Sequence, residues 1–259
     1  MIDSLASVAA LIAVIVLAGA VNGLAGFGFA VVATMALATV IDPATAVVFM
    51  IVPILGVNLS LVGEVSGEQL RTCGRRFAPL LIAALVGMIV GMVALDALPD
   101  APLRVGLGLV TLAFVGSLQR AVSIPAVSRA KEACFVESTG GMAAVGLVSG
   151  VLFGATNVGV QLVAYLKSCN LSHGLFVGVT AMLFLGLNAV RVGTAGALGL
   201  YPDSLVFLAS VAATVPAVAG VLIGKRLRHR IGESLRRRVV LALLTIIGIR
   251  LLLGGAGIA

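Results

Sequence analysis

The sequence has no tryptophan, two tyrosines, two histidines and three cysteines in 259 residues, and only 10% of it is charged. Each shortage excludes something. Soluble domains carry roughly 25% charged residues, and 61% hydrophobic residues with a mean hydropathy of +1.22 remove the chain from that class. Cys73, Cys134 and Cys169 show no C-x-x-C spacing, so they read as reduced thiols without a metal or redox role. His173 and His229 fall near basic loops, so His173 reads as an interface residue before a proton relay. The nearest approach to a hydrolase elbow, Leu147-Val148-Ser149-Gly150, lacks the G-x-S-x-G order. No metal-ligand cluster stands out. Neither an enzyme nor a cofactor is expected. No Lys or Arg precedes Arg71, so the basic region of a secretory signal is not expected. The net charge of +7 sits in short segments between apolar runs, which gives no nucleic-acid signature.

What is abundant is uncharged length. Ser4 to Ile41 holds 38 residues without a charge, interrupted by Asn22-Gly23-Leu24-Ala25-Gly26-Phe27-Gly28. As one straight helix this would measure roughly 57 Å, against a hydrocarbon core of about 30 Å. Further uncharged runs cover Pro43–Gly63, Phe77–Leu95, Ser138–Leu166 and Ser204–Gly224, and weaker ones cover Val105–Gln119, Gly174–Pro202 and Val239–Ala259. An all-α polytopic membrane protein follows, with the lipid bilayer as its surroundings.

The chain also matches itself. An offset of 127 residues superposes Gly19 and Gly23 on Gly146 and Gly150. An offset of 130 pairs Gly56 with Gly186 and Asn58 with Asn188, and one of 133 pairs Gly87 and Gly91 with Gly220 and Gly224. At 132, Leu103-Arg104 falls on Leu235-Arg236. The order is collinear, which predicts a first repeat over 1–119, a cytoplasmic linker over 120–137 and a second repeat over 138–259. Charge sets their orientation. The loop Glu64–Arg76 holds Arg71, Arg75 and Arg76, whereas its counterpart Thr194–Asp203 has no Lys or Arg; Lys225–Arg238 holds seven, whereas its counterpart carries Asp96 and Asp100. Basic short loops stay cytoplasmic, so the repeats are inverted.

Inversion requires an odd number of crossings per repeat. Each repeat is therefore expected as a broken, re-entrant helical hairpin plus three transmembrane helices, with bends near Asn22–Gly28 and Gly154–Asn157. The arms are expected at about 17–18 residues in the first hairpin and 12–15 in the second, and the N-terminus lies outside. One long kinked helix in each place is the competing expectation. Whether the first hairpin crosses fully stays open.

Broken helices at membrane depth are tolerated where they line a cavity, and in inverted-repeat transporters they form the substrate site. That logic selects Asn22, Gly23, Gly26 and Gly28 in one repeat and Ser149, Gly150, Gly154, Thr156 and Asn157 in the other, with the two breaks expected to meet at one central site. Asn58 and Asn188 hold matching positions in spans and supply amides. For the glycines, close helix packing is the rival reading. For the two asparagines it is an interhelical hydrogen bond. Gln161, Thr34 and Thr180 are weaker candidates. Arg191 and Arg250 are the charges placed in the apolar zone, by snorkelling in the ordinary reading and to attract an anion in the sharper one. With cations, amides and helix N-termini but no carboxylate inside a span, the guest is a small anion.

Gly19-x3-Gly23-x2-Gly26-x-Gly28, Gly146-x3-Gly150-x3-Gly154 and the two Leu-Arg starts give the chain its resemblance to the TauE/SafE family of membrane transporters, over its whole length. The family's openings continue with paired glycines and a proline, where this chain has Phe29-Ala30 and Thr156-Asn157. The resemblance implies a secondary transporter for sulfite, sulfoacetate or a related organosulfonate, exporting across a prokaryotic inner membrane. An anion channel of the same fold is the alternative. A proton or sodium gradient as coupling ion, and homo-oligomerisation, stay open.

Overall fold

The computed structural model describes residues 5–25, 28–62, 66–118, 138–169, 171, 173–227, 230 and 233–257, and these form helices with no strand among the described residues. In chain order they are α1 (Leu5–Ala25), α2 (Phe29–Ala38), α3 (Pro43–Phe49), α4 (Ile51–Val62), α5 (Gly67–Arg76), α6 (Ala78–Ala97), α7 (Asp100–Leu118), α8 (Thr139–Thr156), α9 (Val160–Ser168), α10 (His173–Ala197), α11 (Ser204–Leu227) and α12 (Glu233–Gly255). Among the described residues, five helical segments are long and apolar enough to cross a membrane: Pro43–Val62, Ala78–Leu95, Thr139–Thr156, Leu175–Ala197 and Ser204–Leu227. The linker over 120–137, Gly26 and His229 lie outside the described residues.

Local chemistry sets the helix starts. Asp42 accepts from the Thr45 backbone N–H at 2.7 Å ahead of Pro43, Ser138 accepts from Gly141 at 3.0 Å, and Asp203 from Val206 at 2.7 Å. Each side chain satisfies an N–H that has no carbonyl within its own helix.

Both long uncharged runs are broken, and the breaks fall late. α1 has 21 residues and α2 has 10, with Gly28 between them at φ 110°. α8 has 18 and α9 has 9, with Asn157 at φ 60°. The arms are thus unequal, not matched as expected. The left-handed region is cheap for Gly and least costly otherwise for Asn, so the chain turns where such a residue stands. The basic stretch expected as a loop before Phe77 is instead helical over Gly67–Arg76, burying Cys73 while Arg71, Arg75 and Arg76 stay exposed. Its apolar positions recur at helical spacing, which decides the conformation over charge content.

α3 and α4 join through Met50, which keeps helical bonding on both sides. Pro53 has no N–H to offer the Phe49 carbonyl one turn back. The Ser210 hydroxyl of α11 donates to that carbonyl instead, in a fully buried position.

The chain forms two compact units. The first comprises Met1–Val57, Leu98–Leu112 and Gly199–Ala259; the second comprises Asn58–Ala97 and Ala113–Leu198. Each unit takes segments from both sides of residues 120–137, so the contact units are a different division of the chain from the expected repeats.

Each unit is organised around one glycine-lined helix pair. In the first, a Cβ on Gly19 or Gly23 of α1 would strike the Ala217 or Val221 carbonyl of α11, and one on Gly220 or Gly224 would strike the Val16 or Ala20 carbonyl. In the second, Gly146, Gly150 and Gly154 of α8 abut the Leu80, Ala84 and Met88 carbonyls of α6, while Gly87 and Gly91 abut those of Leu147 and Val151. Contacts advance together along both helices, so both pairs are parallel. Close backbone approach is what holds helices together in lipid, where apolar burial offers little. The opposite face of α6 exposes Ile82, Val86, Ile89, Val90 and Val93, and that of α11 exposes Leu205, Leu208, Val211 and Val215. Helices apolar on every face suit a bilayer.

Candidate functional site

Asn157 is fully buried at the end of α8, and its backbone N–H donates to the Phe153 carbonyl at 2.9 Å. Thr156 closes the same turn twice: its hydroxyl donates to the Leu152 carbonyl at 2.5 Å and accepts from the Val158 N–H at 3.1 Å. These bonds fix the broken backbone between α8 and α9.

Arg191, from the later turns of α10, reaches into this break. Its guanidinium donates to the Asn157 Oδ1 and, at 3.0 Å, to the Gly154 carbonyl. It also lies over the Phe153 ring, 4.9 Å from the centroid. The side chain is 0% exposed, so the snorkelling expectation is overturned for this residue. Snorkelling needs a free route to water, whereas these neutral oxygens and the ring hold the guanidinium inward. A cation over a desolvated aromatic face gains about 2 kcal/mol. Arg250, by contrast, is exposed.

Asn188 sits one turn before Arg191 on the same face of α10. It is 0% exposed, and its Nδ2 donates to the Phe184 carbonyl at 2.8 Å. Phe184 in turn packs against Phe153 with centroids 5.1 Å apart, and its ring occupies the space that a Cβ on Gly159 would need. The structure therefore brings Gly154, Asn157 and Arg191 into direct contact, with Thr156 and Asn188 beside them. Asn58 is buried in the same unit. Phe153 and Phe184 belong to the cluster although sequence reasoning passed over them. An aromatic in an apolar run carries no signal beyond its spacing of four from Asn157 and Asn188.

The first-repeat candidates lie in the other unit. Asn22 is 4% exposed, and its Oδ1 accepts from the Phe29 N–H at 3.2 Å, satisfying the first turn of α2 across the break. Gly28 supplies the left-handed residue there, and Gly23 lets α1 meet the α11 backbone. Thr34 is fully buried on α2.

At the rim of this unit, Asp42 and Asp100 share a hydrogen bond between their carboxyls. Burial alone would raise Asp42, but the Thr45 backbone and hydroxyl, with Asp100, hold it below its ordinary range. Asp100 is raised by the bond to Asp42 first, then by burial and the Asp42 charge, against the pull of Arg104.

The compared proteins bear on this cluster only through the family. Nothing matches the chain among curated proteins or among solved structures. The family described as sulfite exporter TauE/SafE matches residues 11–251, which takes in both glycine-lined pairs, both breaks and Arg191. With its apolar helices, the match identifies a multi-pass membrane protein of a transporter family. The chain belongs to the TauE/SafE family of sulfite exporters.

Proposed function

We propose that this chain is a secondary transporter that moves a small anion, sulfite or a related organosulfonate, outward across a prokaryotic inner membrane by alternating access. The observation that carries the reading is the buried Arg191 guanidinium, held at a helix break by neutral oxygens. Ionisable groups inside membrane proteins are costly and mark ion and substrate paths. Between Glu137 and Asp203 the sequence has no carboxylate, so that stretch offers an arriving anion no repelling acid. Asn157, Thr156, Gly154, Asn188 and Asn58 frame the position in this reading, and Asn22, Gly23 and Gly28 form the corresponding break of the first unit, with Gly26 outside the described residues.

Duplication is supported by the two parallel pairs, since α1 and α8 carry superposable glycines, as do α6 and α11. Inversion is supported by the reversal of basic and acidic loops, which puts the N-terminus outside and the 120–137 linker in the cytoplasm. Each unit then combines a broken hairpin from one repeat with a span from the other.

Flux of sulfite into proteoliposomes tests the proposal. Wild-type protein should give saturable uptake. Arg191→Gln should lower it at least about tenfold, because a desolvated charge contact is lost, while Arg191→Lys retains part of it. Wild-type flux in Arg191→Gln would move the anion elsewhere. A steady, non-saturating unitary current would establish the channel alternative.

A further inference from the structure

We propose that the Arg191 site takes a singly charged oxyanion that itself carries a hydrogen-bond donor, such as a hydrogen-oxyanion or a hydroxyalkanesulfonate, and disfavours dianions and donor-less sulfonates. The inference rests on the anion reading above and sharpens it to a substrate class.

Its basis is Asn188. A backbone carbonyl can only accept, so the 2.8 Å bond to Phe184 assigns the nitrogen end of the amide, and Oδ1 is the other end. That oxygen is buried and has no hydrogen-bond donor among the described residues. Buried acceptors are nearly always paired in native proteins, by protein, water or ligand. Three more such atoms lie in the same unit: Ser149 Oγ, Thr180 Oγ1 and Gln161 Oε1. Ser149 is 1% exposed and Thr180 4%.

Their placement follows the helix repeat. Ser149 and Phe153 fall four apart on one face of α8, with Asn157 as its cap four residues further on, and Thr180, Phe184 and Asn188 fall four apart on one face of α10. These two faces meet at the Phe153–Phe184 ring contact and at the Arg191–Asn157 bond. Asn188 and Arg191, three apart, are neighbours on that face. A guest drawn in by the guanidinium therefore meets a carbonyl oxygen within one turn.

That pairing discriminates by chemistry. A fully deprotonated dianion presents only lone pairs to Asn188 Oδ1, and one guanidinium leaves half its charge unmatched. A monoanion with an O–H or N–H gives its charge to Arg191 and its proton to Oδ1. The two hydroxyls can accept or donate as the remaining oxygens require.

The test compares two monoanions of equal heavy-atom count, 2-hydroxyethanesulfonate and 1-propanesulfonate, by titration calorimetry on the full chain in detergent. The hydroxyl compound should bind about tenfold more tightly, the usual consequence of leaving a buried acceptor unpaired. Asn188→Leu should bring the two affinities within about twofold, chiefly by weakening the hydroxyl compound. Sulfite affinity should fall as pH rises and hydrogen sulfite loses its proton. Equal affinities in wild-type protein, with both lost in Arg191→Gln, would overturn the donor requirement and leave the site standing. Affinities unchanged in Arg191→Gln, or no binding of either compound, would overturn the site and the inference together.

Discussion

Asp100 illustrates how a single pair at the rim answers to pH. Its folded value is raised by the hydrogen bond to Asp42, so its protonated form stabilises the fold below the ordinary 3.8, and that contribution is lost as pH rises through the raised value. Asp42 is lowered, so its contribution is present above 3.8 and is lost as pH falls through the folded value. Asp100→Asn keeps a hydrogen-bonding partner but never acquires the charge. Its unfolding temperature in detergent should exceed wild type at pH 7, and the gap should close on acidification toward 3.8. A gap independent of pH would mean that the two carboxyls do not share a proton. Residue identity alone placed Asp42 and Asp100 at segment ends, but not beside each other. They lie 58 positions apart in the chain, and only the fold brings the starts of α3 and α7 together. Arg191 carries the same lesson more sharply, because its position near a span end reads as snorkelling until Asn157 and Gly154 are found around it.

At the scale of elements, the glycines divide into two kinds that the sequence does not distinguish. A Cβ on Gly150 would strike the Ala84 carbonyl, and one on Gly224 the Ala20 carbonyl. Neither backbone can yield without moving its helix, so Gly150→Ala and Gly224→Ala should each cost about 1–3 kcal/mol or more. Gly193 in α10 meets nothing within 4 Å, and Gly193→Ala should be neutral or stabilising by up to about 1 kcal/mol through helix propensity. Thermal unfolding of the three variants in detergent checks the contrast, and equal destabilisation at Gly150 and Gly193 would contradict the close α6–α8 approach. The helices themselves were legible: among the described residues every expected run is mainly helical, because apolar length leaves the backbone no other way to satisfy its hydrogen bonds in lipid. Both breaks were legible too, since glycine and asparagine cluster there. The arm lengths were not. They depend on which residue takes the left-handed conformation, and Gly28 and Asn157 do so at the far edges of their clusters.

For the whole molecule, the proposed inversion has a direct test. Thr72 on α5 and Pro202 ahead of α11 are both exposed and hold positions that the proposed repeat makes equivalent. In a cysteine-free background, an impermeant thiol reagent applied from outside should label Pro202→Cys and leave Thr72→Cys untouched. Labelling of both from the same side would remove the inverted arrangement while leaving membership of the family intact. Composition by itself determined the class: with 10% charge and long apolar runs, no soluble core could be built from this chain. The glycine spacing likewise raised close helix packing as the rival reading, which the contacts of α1 with α11 and of α6 with α8 bear out, and it underlies the proposed duplication. Only the tertiary structure decided which glycines meet, pairing α1 with α11 and α6 with α8 across the linker, and only it turned Arg191 inward. Spacing along a chain fixes which face a residue shares, whereas its partner depends on which distant helix comes to lie against that face.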